Sequence, residues 1–77
     1  MDNLISILET RFKTTADNLQ DSHGPREIEA WDSLEHLQLV SELEDTFDIE
    51  LDMDQINSMR TVGDIKKVLR DSGVREN

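Results

Sequence analysis

Apolar residues return every three or four positions in three stretches of this chain, with polar or turn-forming segments between them. That spacing is the period of the α-helix, and it leaves little room for strands. Leu4, Ile5, Leu8, Phe12, Ala16 and Leu19 fall on one face of a first helix over 2–19, with Arg11, Lys13 and Asp17 on its other sides. A second helix runs from about Ser33 to Phe47. Leu37, Val40, Leu43 and Phe47 make its inner stripe, flanked by Leu34 and Leu39. Glu35, Gln38, Glu42 and Asp45 share the opposite face when residues are placed about 100° apart. Asp32 is a good N-cap for this helix, and Glu35 three residues later completes a capping-box-like pattern. In the last helix Thr61 is the cap, Asp64 takes the third position, and Ile65, Val68 and Leu69 face inward. Gly73 ends it.

The segments between are equally directive. Residues 20–31 form a long first loop around the Gly24-Pro25 turn signal. Asp48-Ile49-Glu50-Leu51-Asp52-Met53-Asp54 alternates acid and apolar, which predicts an extended connector with one side tucked inward. A short helix follows around Asp54 to Met59, and residues 74–77 read as a frayed end. The expected fold is all-α: one domain over 1–77, three main helices and a short fourth, packed as a bundle. Seventy-seven residues bury only roughly 60% of their unfolded surface, so the core is small and an enclosed catalytic cleft has no room.

Charge and cysteine content exclude whole classes of function. Lys and Arg total 8 against 18 Asp and Glu, a net charge of −10. The charge opposes nucleic acid and anionic membrane surfaces as partners, because both demand a basic footprint, and leaves a helical nucleic-acid reader a distant third reading. Basic protein surfaces are the expected partners instead. With no cysteine, disulfides and thiolate metal sites are impossible, and a reducing cytoplasm is favoured. The opening residues read as a mature start, not as a leader.

The tripeptide Asp32-Ser33-Leu34 displays a hydroxyl where the second helix begins. The first N–H groups of a helix are unpaired and its dipole is positive there, which suits an attached phosphate. The bland reading of Ser33 is an ordinary cap serine. The wider pattern is Trp31-Asp32-Ser33-Leu34, then Leu39-Val40 and Leu43-Glu44, then Phe47-Asp48-Ile49, then Thr61-Val62-Gly63-Asp64-Ile65. In this order the segments resemble the acyl carrier protein (phosphopantetheine-attachment) family, in the Trp-Asp-Ser-Leu form of its free-standing carriers.

The resemblance implies an acyl-carrier-protein-like bundle that is not an enzyme. It implies that Ser33 takes 4′-phosphopantetheine covalently from coenzyme A by a phosphopantetheinyl transferase, and that acyl or aminoacyl groups ride on the arm as thioesters. Fatty-acid, polyketide or other specialised biosynthesis would supply the setting. It also implies that Asp32 helps the transferase hold its metal and coenzyme, and that Leu34 contacts partners. Glu35, Gln38, Glu42, Glu44 and Asp45 would dock acyl-loading and acyl-processing enzymes with basic surfaces, although Gln38 stands where the family usually has an acid. A carrier served in trans is expected to be a monomer.

The remaining polar residues carry less. His36 lies one turn beyond Ser33; it is either a satisfied residue at the core's edge or a contact to the arm. His23 sits in the loop without a signal, and two unrelated histidines make no metal site. Asp32, Ser33 and His36 look superficially like a hydrolase triad, but a triad is defined by geometry and needs an oxyanion hole. Asp48, Glu50, Asp52 and Asp54 echo a calcium loop, yet Met53 holds the glycine place and Met59 the glutamate place. Met53 and Met59 are expected as core fillers or rim contacts, and Trp31 is expected to lean on the first loop. The alternative function is an unmodified acidic helical adaptor for a basic protein.

Overall fold

In a computed structural model, which describes residues 2–74, the helices are α1 (Asp2–Phe12), α2 (Ser33–Phe47), α3 (Met53–Ser58) and α4 (Val62–Asp71). A single 3₁₀ turn, Ala16–Asn18, lies between α1 and α2. Leu4, Leu8, Leu39, Leu43, Val62, Ile65 and Leu69 are wholly shielded from water and draw α1, α2 and α4 around one core. Leu19, Ile28 and Trp31 join that core from the first loop, and Leu51 and Met59 from either side of α3.

The first helix stops seven residues short of the expected end at 19. Lys13 turns left-handed with φ 53°, and the Thr14 N–H closes on the Glu9 carbonyl at 3.1 Å. That bond from the second residue past the end back to the last turn is a helix stop, and it satisfies a carbonyl that would otherwise be orphaned. The Glu9 carboxylate then accepts the Ala16 N–H at 3.0 Å and starts the 3₁₀ turn. Ala16 is consequently exposed, while Leu19 still reaches the core by the new path.

On α2 the inner stripe lies one step from the expected one. Leu39 is fully buried and Leu37 is 59% exposed, so the stripe is Leu39, Val40 and Leu43, with His36 and Phe47 at its half-buried ends. Asp32 caps as expected, its Oδ1 accepting the Glu35 N–H at 2.8 Å. The return half of the capping box is not made, because the Glu35 side chain turns to Arg11. The full box sits instead at α3: Asp52 Oδ1 accepts the Gln55 N–H at 2.8 Å, and Gln55 Oε1 accepts the Asp52 N–H at 3.0 Å. Helix α3 therefore begins at Met53, one residue earlier than expected. Residues 48–52 form the predicted connector, with Leu51 buried, Ile49 half-buried and Glu50 and Asp52 outside.

The first loop is bound to the start of α4. The Val62 N–H donates to the His23 carbonyl and the Gly63 N–H to the Asp21 carbonyl, both at 2.9 Å. The Asp64 N–H donates to Thr61 Oγ1 at 3.1 Å. All three free donors of the first turn of α4 are thus satisfied, two of them by the loop. Gly24 makes the fit possible: a Cβ there would lie 2.3 Å from the Arg60 carbonyl oxygen. At its far end α4 closes with Gly73 at φ 93° and N–H bonds from Gly73 to Arg70 and from Val74 to Leu69, both at 3.0 Å. Val74, expected to fray, is half-buried against the core. The rest of the expected frayed end, 75–77, lies outside the described residues.

Candidate functional site

Ser33 is the first residue of α2 and is exposed. Asp32 already provides the cap, and the Ser33 hydroxyl makes no hydrogen bond to another described residue. It opens on a groove of about 740 Å³ between the first loop, the start of α2 and α3. Trp31, Leu37, Met53, Ile56 and Met59 give the groove an apolar lining, with Arg26 and Arg60 also bordering it. Leu34, Leu37 and Met53 are exposed by 66%, 59% and 67%, an apolar patch around the serine. Met59 is a core filler and Met53 a rim contact in this patch, the two places expected for them.

His36 organises the ground beneath. The Trp31 Nε1–H donates to His36 Nδ1 at 2.9 Å, and His36 Nε2 lies 2.9 Å from the Ile56 carbonyl. Trp indole is only a donor, so Nδ1 accepts, Nε2 carries the proton, and that proton goes to Ile56. One neutral ring thereby joins the residue before the Asp32 cap, helix α2 and helix α3. Trp31 stacks on His36 at 5.9 Å and on Phe12 of α1 at 5.3 Å between ring centroids. Its ring partners belong to two helices, and it shares the core with Leu19 and Ile28 of the first loop. With both His36 nitrogens and Asp32 Oδ1 engaged elsewhere, no side chain among the described residues hydrogen-bonds the Ser33 hydroxyl, and the superficial triad has no triad geometry.

The acidic face of α2 is partly answered from inside. Arg11 on α1 reaches Glu35 through Nε, Glu42 at 2.5 Å and Gln38 at 3.1 Å. These bonds raise the Arg11 guanidinium above its ordinary range, the bond to Glu42 most and that to Glu35 next. The Glu44 carboxylate accepts the Leu51 N–H at 2.9 Å and anchors the connector. Of the acids expected to dock partners, Glu35, Glu42 and Glu44 thus have internal duties, and Asp45 stands exposed without one. The Arg11 clasp carries no local sequence signal, because it joins residues of α1 and α2 that lie 24 and 31 positions apart. Nor did it mark His23, whose Nδ1 lies 2.8 Å from the Asn18 carbonyl while its own carbonyl holds α4. Among the described residues no group of three or more His, Cys, Asp or Glu side chains is placed to hold a metal ion.

The model of a family described as a phosphopantetheine attachment site matches residues 3–69. A probable acyl carrier protein of Caulobacter vibrioides is 42% identical over 55 residues, covering 71% of this chain and 63% of that protein. An acyl carrier protein of Exiguobacterium sibiricum is 50% identical over 34 residues, covering 44% of this chain and 43% of that protein. The chain thus spans less than two thirds of the length of these curated relatives. A holo acyl carrier protein from Geobacter metallireducens superposes with a TM-score of 0.80 at 27% identity, covering 92% of this chain and 82% of that one.

Proposed function

We infer the function of this chain from its family: it belongs to the phosphopantetheine attachment family. It is a carrier of acyl groups and not a catalyst. Its cofactor is covalent 4′-phosphopantetheine, and we place the attachment at Ser33. The arm supplies a terminal thiol on which acyl groups are held as thioesters. The residues present fit such a group. Ser33 offers an exposed hydroxyl that no neighbour claims, and the free N–H groups of the first turn of a 15-residue helix complement the anionic phosphodiester. That complement is worth about 0.3–1 kcal/mol, so α2 accommodates the charge and does not drive the attachment. The groove beside Ser33 offers the arm an apolar floor of Trp31, Leu37, Met53, Ile56 and Met59.

The single observation that carries the placement is the free hydroxyl of Ser33 at the head of α2, inside the residues matched to the family. Partners belong to biosynthesis. We propose that they are a phosphopantetheinyl transferase and acyl-loading and acyl-processing enzymes with basic surfaces. They would meet the patch of Leu34, Leu37 and Met53 together with Asp45, on a monomeric chain in the cytoplasm. Among the described residues no helix is long and apolar enough to cross a membrane. Fatty-acid, polyketide or another specialised biosynthesis is the proposed setting. The test is an intact mass after incubation with coenzyme A and a promiscuous transferase. One phosphopantetheine adduct is expected, and none on a folded Ser33→Ala chain. An unmodified parent chain with native circular dichroism would leave the acidic-adaptor alternative in its place.

A further inference from the structure

We infer that the groove beside Ser33 favours cargo ending in a carboxylate, with Arg26 and Arg60 as the residues that read it; the inference rests on the carrier reading above. Both arginines border the groove, although they come from different segments. The contact of Gly24 with the Arg60 carbonyl brings those segments together. Arg26 follows on the same tight turn, where the Glu27 and Ile28 N–H groups close on the Gly24 carbonyl at 3.0 and 2.9 Å.

Both side chains are exposed, and neither is ion-paired to a described residue, in a chain with 18 acids and only 8 Lys and Arg. Asp32 is the one acid among the described residues lining the groove, and its Oδ1 is committed to the Glu35 N–H. Two unmatched guanidinium groups beside an apolar floor complement an apolar chain with an anionic end. Guanidinium presents paired donors that fit a carboxylate. A plain hydrocarbon cargo would cover the floor and leave both cations unanswered. The phosphodiester at Ser33 is a second anion nearby, but the free N–H groups of α2 already complement it.

The test compares two six-carbon cargoes, adipyl and hexanoyl, loaded from their coenzyme A thioesters by a promiscuous transferase. The Nε–H resonances of Arg26 and Arg60 should move in the adipyl form, beyond their positions in the holo and hexanoyl forms. Relative to the same pair on free pantetheine, the adipyl thioester should hydrolyse more slowly by about 1.5- to 5-fold, the range exposed ion pairs allow. Arg26→Gln with Arg60→Gln should remove that difference. Resonances that move on forming the holo chain and no further with adipyl would overturn the inference and assign the arginines to the phosphodiester. Equal hydrolysis ratios on protein and on free pantetheine would also overturn it. Failure of the carrier reading itself would show earlier, as a folded chain that gains no mass at all.

Discussion

Replacing Gly24 with alanine is a test in which the sign alone decides. On general grounds the change should help: Gly→Ala at a compatible position stabilises by about 0.4–1 kcal/mol through the unfolded chain. Here the new Cβ would lie 2.3 Å from the Arg60 carbonyl oxygen, a backbone atom that cannot swing aside. The loop must retreat from α4, and the Val62 and Gly63 N–H groups lose the His23 and Asp21 carbonyls. Val62 is fully buried, so its donor cannot turn to water. Each orphaned donor costs about 1–3 kcal/mol, and partial relaxation brings the pair to about 2–4 kcal/mol. A domain of 77 residues has roughly 4–12 kcal/mol to lose. The melting temperature should therefore fall by about 10–25 °C. Thermal unfolding by circular dichroism gives the shift, and amide exchange at Val62 and Gly63 locates it. A Gly24→Ala chain as stable as the parent, with both amides still protected, would refute the account of the loop as the cap of α4.

Removing the guanidinium with Arg11→Met should cost about 1 kcal/mol in urea unfolding at low salt, and less at high salt, because partly exposed ion pairs are screened. An equal loss at both salt concentrations would exclude the ionic origin. The parent chain, at net −10, should melt higher as salt or magnesium is added, and a melting temperature indifferent to both would count against self-repulsion. His36→Phe should cost about 1–3 kcal/mol by stranding the buried Trp31 indole N–H, and its ¹⁵N resonance should shift; an unmoved resonance would deny the bridge. Asp32→Ala should lose about 0.5–2 kcal/mol of cap energy while Asp32→Asn keeps it, so slow modification of a stable Asp32→Asn chain would report the carboxylate's part in attachment. Asp32→Asn modified at the parent rate would reduce Asp32 to a cap.

The helices at Ser33, Thr61 and their neighbours were legible because caps act within four residues, and the sequence carries cap and first turn together. The place of Ser33 at the head of α2 was legible for the same reason. What escaped the sequence depends on crossings. The stop of α1 at Phe12 has no glycine to announce it; Lys13 takes a left-handed conformation uncommon for a non-glycine residue, and the Thr14 N–H closes on the Glu9 carbonyl. Leu37 and Leu39 flank the Val40, Leu43 and Phe47 stripe at nearly equal angles on opposite sides, so the helical period alone does not decide which is buried; the structure buries Leu39. Glu35 reads as a capping-box partner until Arg11 is placed across from it, and a charged hydrogen bond there outcompetes a local one.

Along the chain from Trp31 to His36, every polar side chain but that of Ser33 is spent on the fold. Asp32 holds the Glu35 N–H, Glu35 holds Arg11, and His36 holds both Trp31 and Ile56. The Ser33 hydroxyl holds nothing among the described residues. If this serine were kept as a cap, its removal would cost about 0.5–2 kcal/mol. Since Asp32 does the capping, and alanine is the better helix former at an exposed position, Ser33→Ala should leave stability within about 0.5 kcal/mol or raise it slightly. Urea unfolding of the two apo chains measures the difference directly. A loss above about 1 kcal/mol would return Ser33 to the role of ordinary cap and remove the structural case for it as the attachment point. A neutral result leaves the serine with no stabilising task, as the proposed attachment role expects.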